Sequence, residues 1–86
     1  MENKIAIIGI ALEDKEAAAN VNELLHSYAG KIIARLGVPY RNAAVNIITI
    51  VIDASVDEIN ALTGKLGKIK GVGAKTMTVK LPGEAE

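Results

Sequence analysis

The sequence predicts an α+β protein, a two-layer sandwich in the order βαββαβ with an antiparallel sheet in one layer and both helices in the other. Three observations carry this. Two Ile-rich runs, Lys4–Leu12 and Val45–Asp53, are apolar on both alternating faces, as central strands are. Two further stretches repeat apolar residues at helical spacing, each after a capping signal. The 86 residues leave no linker or low-complexity segment over, so one domain spans 1–86, with its core in 4–81 and a short tail, Pro82–Glu86.

The first strand is Lys4–Leu12. Asp14 then caps a helix expected over Lys15–Ala29, whose residues Ala17, Ala18, Val21, Leu24, Leu25 and Tyr28 form one apolar stripe. Glu13, Asp14 and Glu16 stand where the helix dipole favours acids, and Gly30 is the expected left-handed stop. Lys31–Val38 alternates as a second strand, with Ile33 and Arg35 on one face and Ile32, Ala34, Leu36 and Val38 on the other. Pro39–Ala43 is the connecting loop and Val45–Asp53 the third strand. Ser55-Val56-Asp57-Glu58 is a capping box. The helix it opens buries Ile59, Leu62, Thr63 and Leu66 and stops near Gly67. A last strand runs over Val72–Leu81, with Met77, Val79 and Leu81 opposite Thr76 and Thr78.

Two right-handed crossovers with a hairpin between them give a ferredoxin-like topology with strand order 4-1-3-2. Both helices then cover the same sheet face. The other face should carry Ile33, Arg35, Ile47, Thr49, Val51, Thr76 and Thr78, and it is too apolar to stay wet. Burying about 500 Å² of it would contribute roughly 12 kcal/mol before entropy costs. A homo-oligomer, dimer or tetramer, is the expectation, with Ile33, Ile47, Thr49, Val51, Thr76 and Thr78 at its interface.

Composition narrows the function classes. Ten Lys+Arg balance ten Asp+Glu, so no global field recruits nucleic acid or anionic membrane. There is no cysteine and only one histidine, His26, which excludes thiolate chemistry and leaves little room for a triad or a metal cluster. No enzyme activity, cofactor or metal is expected. Ile5–Leu12 is far short of the ~20 apolar residues of a membrane span, and acids flank it on both sides, so a cytoplasmic location is expected. Central strands without aromatics cannot stack RNA bases. A copper carrier of this topology needs CxxC, and a nickel sensor needs several His or Cys ligands. A small-molecule sensor of the ACT type needs no diagnostic side chain, because its pockets form from backbone and loops at subunit interfaces. An acylphosphatase would need an Arg-bearing glycine loop after the first strand, and none is there.

Several segments invite a sharper reading. Gly64-Lys65-Leu66-Gly67 has the spacing of a KH-domain GxxG loop, but Gly71, Gly73 and a strand pattern leave no room for the second helix. The preferred role is structural, with Gly67 ending a helix and Gly64 allowing close packing. Lys65, Lys68, Lys70, Lys75 and Lys80 form a stretch without an acid, and nucleic-acid binding along this basic edge is the alternative function. The competing and preferred reading has these lysines complementing a helix C-terminus and blunting an edge strand. His26 is read as an ordinary surface imidazole. The topology brings the end of the first strand, the start of the first helix, the Gly37–Asn42 loop and the Gly67–Gly71 turn to one end. That end gathers Tyr40, Arg41, Lys68 and Lys70 and suits an anionic effector or a partner loop, or else Arg41 simply pairs with Glu13 or Asp14.

Taken whole, the chain resembles the small family of iron-only hydrogenase system regulators, whose fold is ACT-like and akin to the C-terminal domain of nickel-responsive regulators. The resemblance covers about Lys4 to Leu81. It rests on Val21-Asn22-Glu23-Leu24-Leu25-His26, Arg35-Leu36-Gly37-Val38-Pro39-Tyr40-Arg41, Ala61-Leu62-Thr63-Gly64-Lys65-Leu66-Gly67, and Gly71-Val72 with Lys75-Thr76. It implies regulation or accessory function beside [FeFe]-hydrogenase maturation and no catalysis. It brings neither metal ligands nor a DNA-binding arm onto these residues, so any DNA contact is expected from a partner. The expected effector or partner surface comprises Arg35, Gly37, Pro39, Tyr40, Arg41, Gly64, Lys65, Gly67 and Lys68.

Overall fold

The two Ile-rich strands lie side by side at the centre of one sheet. In the computed structural model, which describes residues 2–40 and 45–83, β1 (Asn3–Leu12) pairs antiparallel with β3 (Val45–Ser55) on one side and β4 (Val72–Val79) on the other. The edge strand β2 (Ile32–Tyr40) adds to β3, giving the order β2-β3-β1-β4, which is the expected 4-1-3-2 read from the other edge. Helix α1 (Lys15–His26) leads from β1 towards β2, and α2 (Val56–Gly67) joins β3 to β4.

Every second residue of the central strands points into the sandwich. Ala6, Ile8, Ile10 and Leu12 of β1 and Ile48, Ile50, Ile52 and Ala54 of β3 are buried against Ala17, Val21 and Leu25 of α1 and Ile59, Leu62 and Leu66 of α2. β-branched isoleucine suits both the strand backbone and close packing against helices. Among the described residues, no layer covers the opposite face.

Local chemistry fixes the helix ends. Asp14 Oδ1 accepts from Ala17 N at 2.7 Å, as its position before the apolar stripe predicts. The α2 box closes reciprocally, with Glu58 N donating to Ser55 Oγ at 3.2 Å and Ser55 N to Glu58 Oε1 at 3.0 Å. The Ser55 backbone N–H, then Lys31 Nζ at 2.9 Å from Oε2, hold the Glu58 carboxyl down at about 2. Helix α1 stops earlier than its apolar stripe suggests, at His26 rather than Ala29. The Ser27 hydroxyl turns back to donate to Leu24 O at 2.6 Å, and a short 3-10 turn over Ala29–Lys31 follows. Gly30 lies in that turn. Gly71, with φ +82°, is the glycine whose backbone conformation matters, and its carbonyl accepts from Glu13 N at 3.2 Å.

Two faces are assigned differently from the expectation. In β4 the register pairs Thr76 with Ile8 and Thr78 with Ala6, so these threonines lie on the helix side. Thr63 of α2 donates to Ile59 O at 2.8 Å, leaving its oxygen to accept from the Thr76 hydroxyl, which satisfies both polar groups at the edge of the core. Met77 and Val79 take the uncovered face instead. The second change is in β2 and shapes the candidate site.

Candidate functional site

Edge strand β2 contains one extra residue. Ile32 pairs with Ile52 and Ala34 with Val51, so Ile33 stands unpaired between them as a β-bulge. Beyond the bulge the alternation is reversed. Arg35 faces out beside Ile50, Gly37 beside Ile48 and Pro39 beside Asn46, all on the helix side, while Ala34, Leu36, Val38 and Tyr40 take the uncovered face. Arg35 therefore does not lie on the uncovered face where strict alternation would put it. It reaches over the sheet edge to α1, where Nη2 donates to Asn22 Oδ1.

The result is a cleft between α1 and β2. The Arg35–Asn22 bridge divides it into two depressions. One, of about 270 Å³, is lined by Asn22, Leu25, His26, Ala29, Ile32 and Arg35. The other, of about 230 Å³, has Leu12, Ala18 and Ile48 deep inside and Gly37, Pro39 and Asn46 around its opening. Gly37 and the small side chain of Ala18 keep this depression open. No carboxylate lines either depression among the described residues. Arg35 keeps most of its five donors, and with Asn22 Oδ1 turned to the guanidinium, the Asn22 amide nitrogen is available to donate elsewhere. His26, one helical turn along from Asn22, and Asn46 complete a donor-bearing rim over an aliphatic floor. Such a rim suits a small anion with an apolar body, bound bidentately through its carboxylate or phosphate.

The remaining predicted site residues do not join this cleft. Tyr40 is on the other face, and Arg41 lies outside the described residues. Gly64 and Gly67 are exposed on α2, and among the described residues nothing packs closely over either. Lys65 Nζ sits 5.6 Å from the Tyr28 ring centroid and 3.4 Å from its hydroxyl, and Lys68 caps the helix. The expected gathering at one end is partly realised, since the Gly71 turn does meet the start of α1. There Lys70 shares a depression with Asp14, Glu16 and Asn20, so acids offset its charge and an anion gains little. The basic stretch is also split, with Lys65 engaged on Tyr28 and Lys75 on the uncovered sheet face. No group of three His, Cys, Asp or Glu that could hold a metal ion occurs among the described residues, and no described helix is long and apolar enough to cross a membrane. Asn22 and Asn46 are site residues that the sequence did not single out as candidates, and His26, read there as an ordinary surface imidazole, lines the first depression. The i, i+4 spacing of Asn22 and His26 was the one available signal in the sequence.

Residues 4–76 match the model of the TM1266-like family, described as "Iron-only hydrogenase system regulator, putative". The chain belongs to the TM1266-like family. Its similarity to the TM1266 protein from Thermotoga maritima is 44% in sequence identity with a TM-score of 0.88, covering 92% of this chain and 100% of that one. The ACT domain from the GTP pyrophosphokinase of Chlorobium tepidum superposes with TM-scores of 0.73 in its crystal structure and 0.68 in its solution structure. Identities there are 19% and 20%; the crystal structure match covers 87% of this chain and 99% of the other, and the solution match 99% and 96%. That likeness establishes the ACT-like fold of this TM1266-like chain. No curated protein matches it.

Proposed function

We propose that this TM1266-like protein is a cytoplasmic regulatory module of the iron-only hydrogenase system, a homo-oligomer that senses a small anionic effector in the cleft between α1 and β2. The observation that carries the reading is the bulge at Ile33, which turns the Arg35 guanidinium into a cleft lined by no carboxylate among the described residues. A bulge that re-aims one charged side chain is a common feature beside binding sites. The family description supports the regulatory role, and the ACT-like fold supports a ligand-sensing one. Neither depression offers the nucleophile or paired acid and base that catalysis would need. Isothermal titration with small carboxylates and phosphates tests this. At least one should bind, and Arg35→Ala should weaken it about tenfold or more, as expected for loss of a charge-assisted pair. An Arg35→Ala variant that binds as the wild type does refutes the assignment. The nucleic-acid alternative predicts a steep log–log salt dependence for duplex DNA, which the divided lysines do not favour.

A further inference from the structure

The uncovered sheet face has a relief that complements itself. Strand register arranges its side chains in rows across β2, β3, β1 and β4. One row reads Val38, Ile47, Ala11, Gly73 and the next Leu36, Thr49, Gly9, Lys75. Both are tall at the β2 edge; the first falls to Ala11 and Gly73, and the second dips at Gly9 before the long, flexible Lys75 at the β4 edge. The third row is reversed, running from Ala34 to Met77. Leu36 is 62% exposed, Met77 59% and Val38 46%, so the tall positions stand free in a single copy. Gly9, Ala11 and Gly73 leave an apolar groove of about 400 Å³ beside them.

We infer that a second copy of this chain docks face to face on this sheet, about a twofold axis running along the strands between β1 and β3. This rests on the homo-oligomer reading above and specifies its interface. The axis lays β2 of one copy over β4 of the other. Val38 then fills the space over the partner's Gly73, and Met77 meets the partner's Ala34. Leu36 packs on the aliphatic stem of the partner's Lys75, whose ammonium reaches solvent at the edge. The strands of the two sheets run nearly aligned, as in packed β-sandwiches. The paired strands carry one Lys75 and one Asp53 on this face, so its net charge is zero; Lys75 lies on the edge strand and Asp53 in the row beyond Val51, towards the end of the sheet. Four strands about 4.8 Å apart and some eight residues long present roughly 500 Å² per copy, and two such faces reach the ~1,000 Å² of a specific interface. Of the six residues expected at the interface, this arrangement keeps Ile47, Thr49 and Val51 and leaves out the unpaired Ile33 and the helix-side Thr76 and Thr78, and it adds Leu36, Val38 and Met77.

Sedimentation velocity of the full chain over a wide concentration range tests the inference. Gly73→Leu has open space within one copy, since an added Cβ there meets nothing within 4 Å. It should raise the dimer dissociation constant about tenfold or more by filling the place of Val38. A second pair of variants depends on no glycine: Leu36→Lys places like charges together at the partner's Lys75, whereas Leu36→Glu places opposite ones there. The lysine variant should dissociate at least severalfold more readily than the glutamate variant, with circular dichroism of both unchanged. Equal dissociation, or the reverse order, overturns this arrangement while the homo-oligomer stands. A wild-type chain that is monomeric throughout overturns the homo-oligomer reading as well.

Discussion

Replacing Gly64 by alanine should stabilise the protein, although glycine in a helix is easily read as a packing requirement. Gly64 lies in the third turn of α2, exposed, and a Cβ built there meets nothing within 4 Å. The cost of glycine is therefore conformational alone. In an exposed helix interior alanine is better by about 0.8–1 kcal/mol. For 86 residues the unfolding entropy is about 0.18 kcal/mol per degree, so Tm should rise by about 5 °C. Thermal melts followed by far-UV circular dichroism, at matched protein concentration, measure this directly. Gly71→Ala is the control of opposite sign. Its Cβ would stand 3.8 Å from Glu13 Oε2 and 3.9 Å from the Ala17 Cβ, which are ordinary contacts, but φ +82° strains any L side chain. A loss of about 1 kcal/mol and a similar fall in Tm are expected. A lowered Tm for Gly64→Ala would refute the reasoning and mean that another surface packs closely over α2.

Other perturbations probe the core and the capping network. Leu62→Ala, at a fully buried helix position facing the sheet, should cost about 3 kcal/mol, read as a lower urea midpoint at unchanged slope; a loss below about 1 kcal/mol would contradict that packing. Glu58→Gln tests the depressed carboxyl. Because its folded value, about 2, lies below the ordinary 4.5, ionised Glu58 stabilises the fold above about pH 4.5 and that contribution fades as pH falls towards 2. The stability gap between wild type and Glu58→Gln should be full at neutral pH and close across that acid window. A gap of constant size would show that the Ser55 and Lys31 contacts do not set it.

The topology was legible because it rests on local periodicity. Continuous Ile runs mark central strands, and Asp14 and the Ser55–Glu58 box mark helix starts through chemistry confined to four residues. The face assignments of the edge strands were not legible, for a physical reason. A bulge is a mismatch between two strands, and Ile33 looks like any other strand residue until β3 is laid beside it. One unpaired residue moved Arg35 from the uncovered face to the helix side and so created the cleft. In β4 the choice between threonine and Met77–Val79 faces turned on a hydroxyl partner, Thr63, in another element. Hydrophobicity alone favours the opposite answer. Gly64 and Lys65 have the spacing of a motif, yet one is exposed helix surface and the other lies against Tyr28.

The contact between Lys65 and Tyr28 gives the molecule a pair of separable optical reporters. The chain has no tryptophan and only two tyrosines, so near-ultraviolet emission comes from those rings alone. Tyr28, partly buried against the core with a lysine over it, responds when the layer of helices loosens. Tyr40, 47% exposed on the opposite side of the sheet, responds when that side is covered. Phenylalanine at either position silences one signal, so unfolding and association can be followed independently without an attached dye.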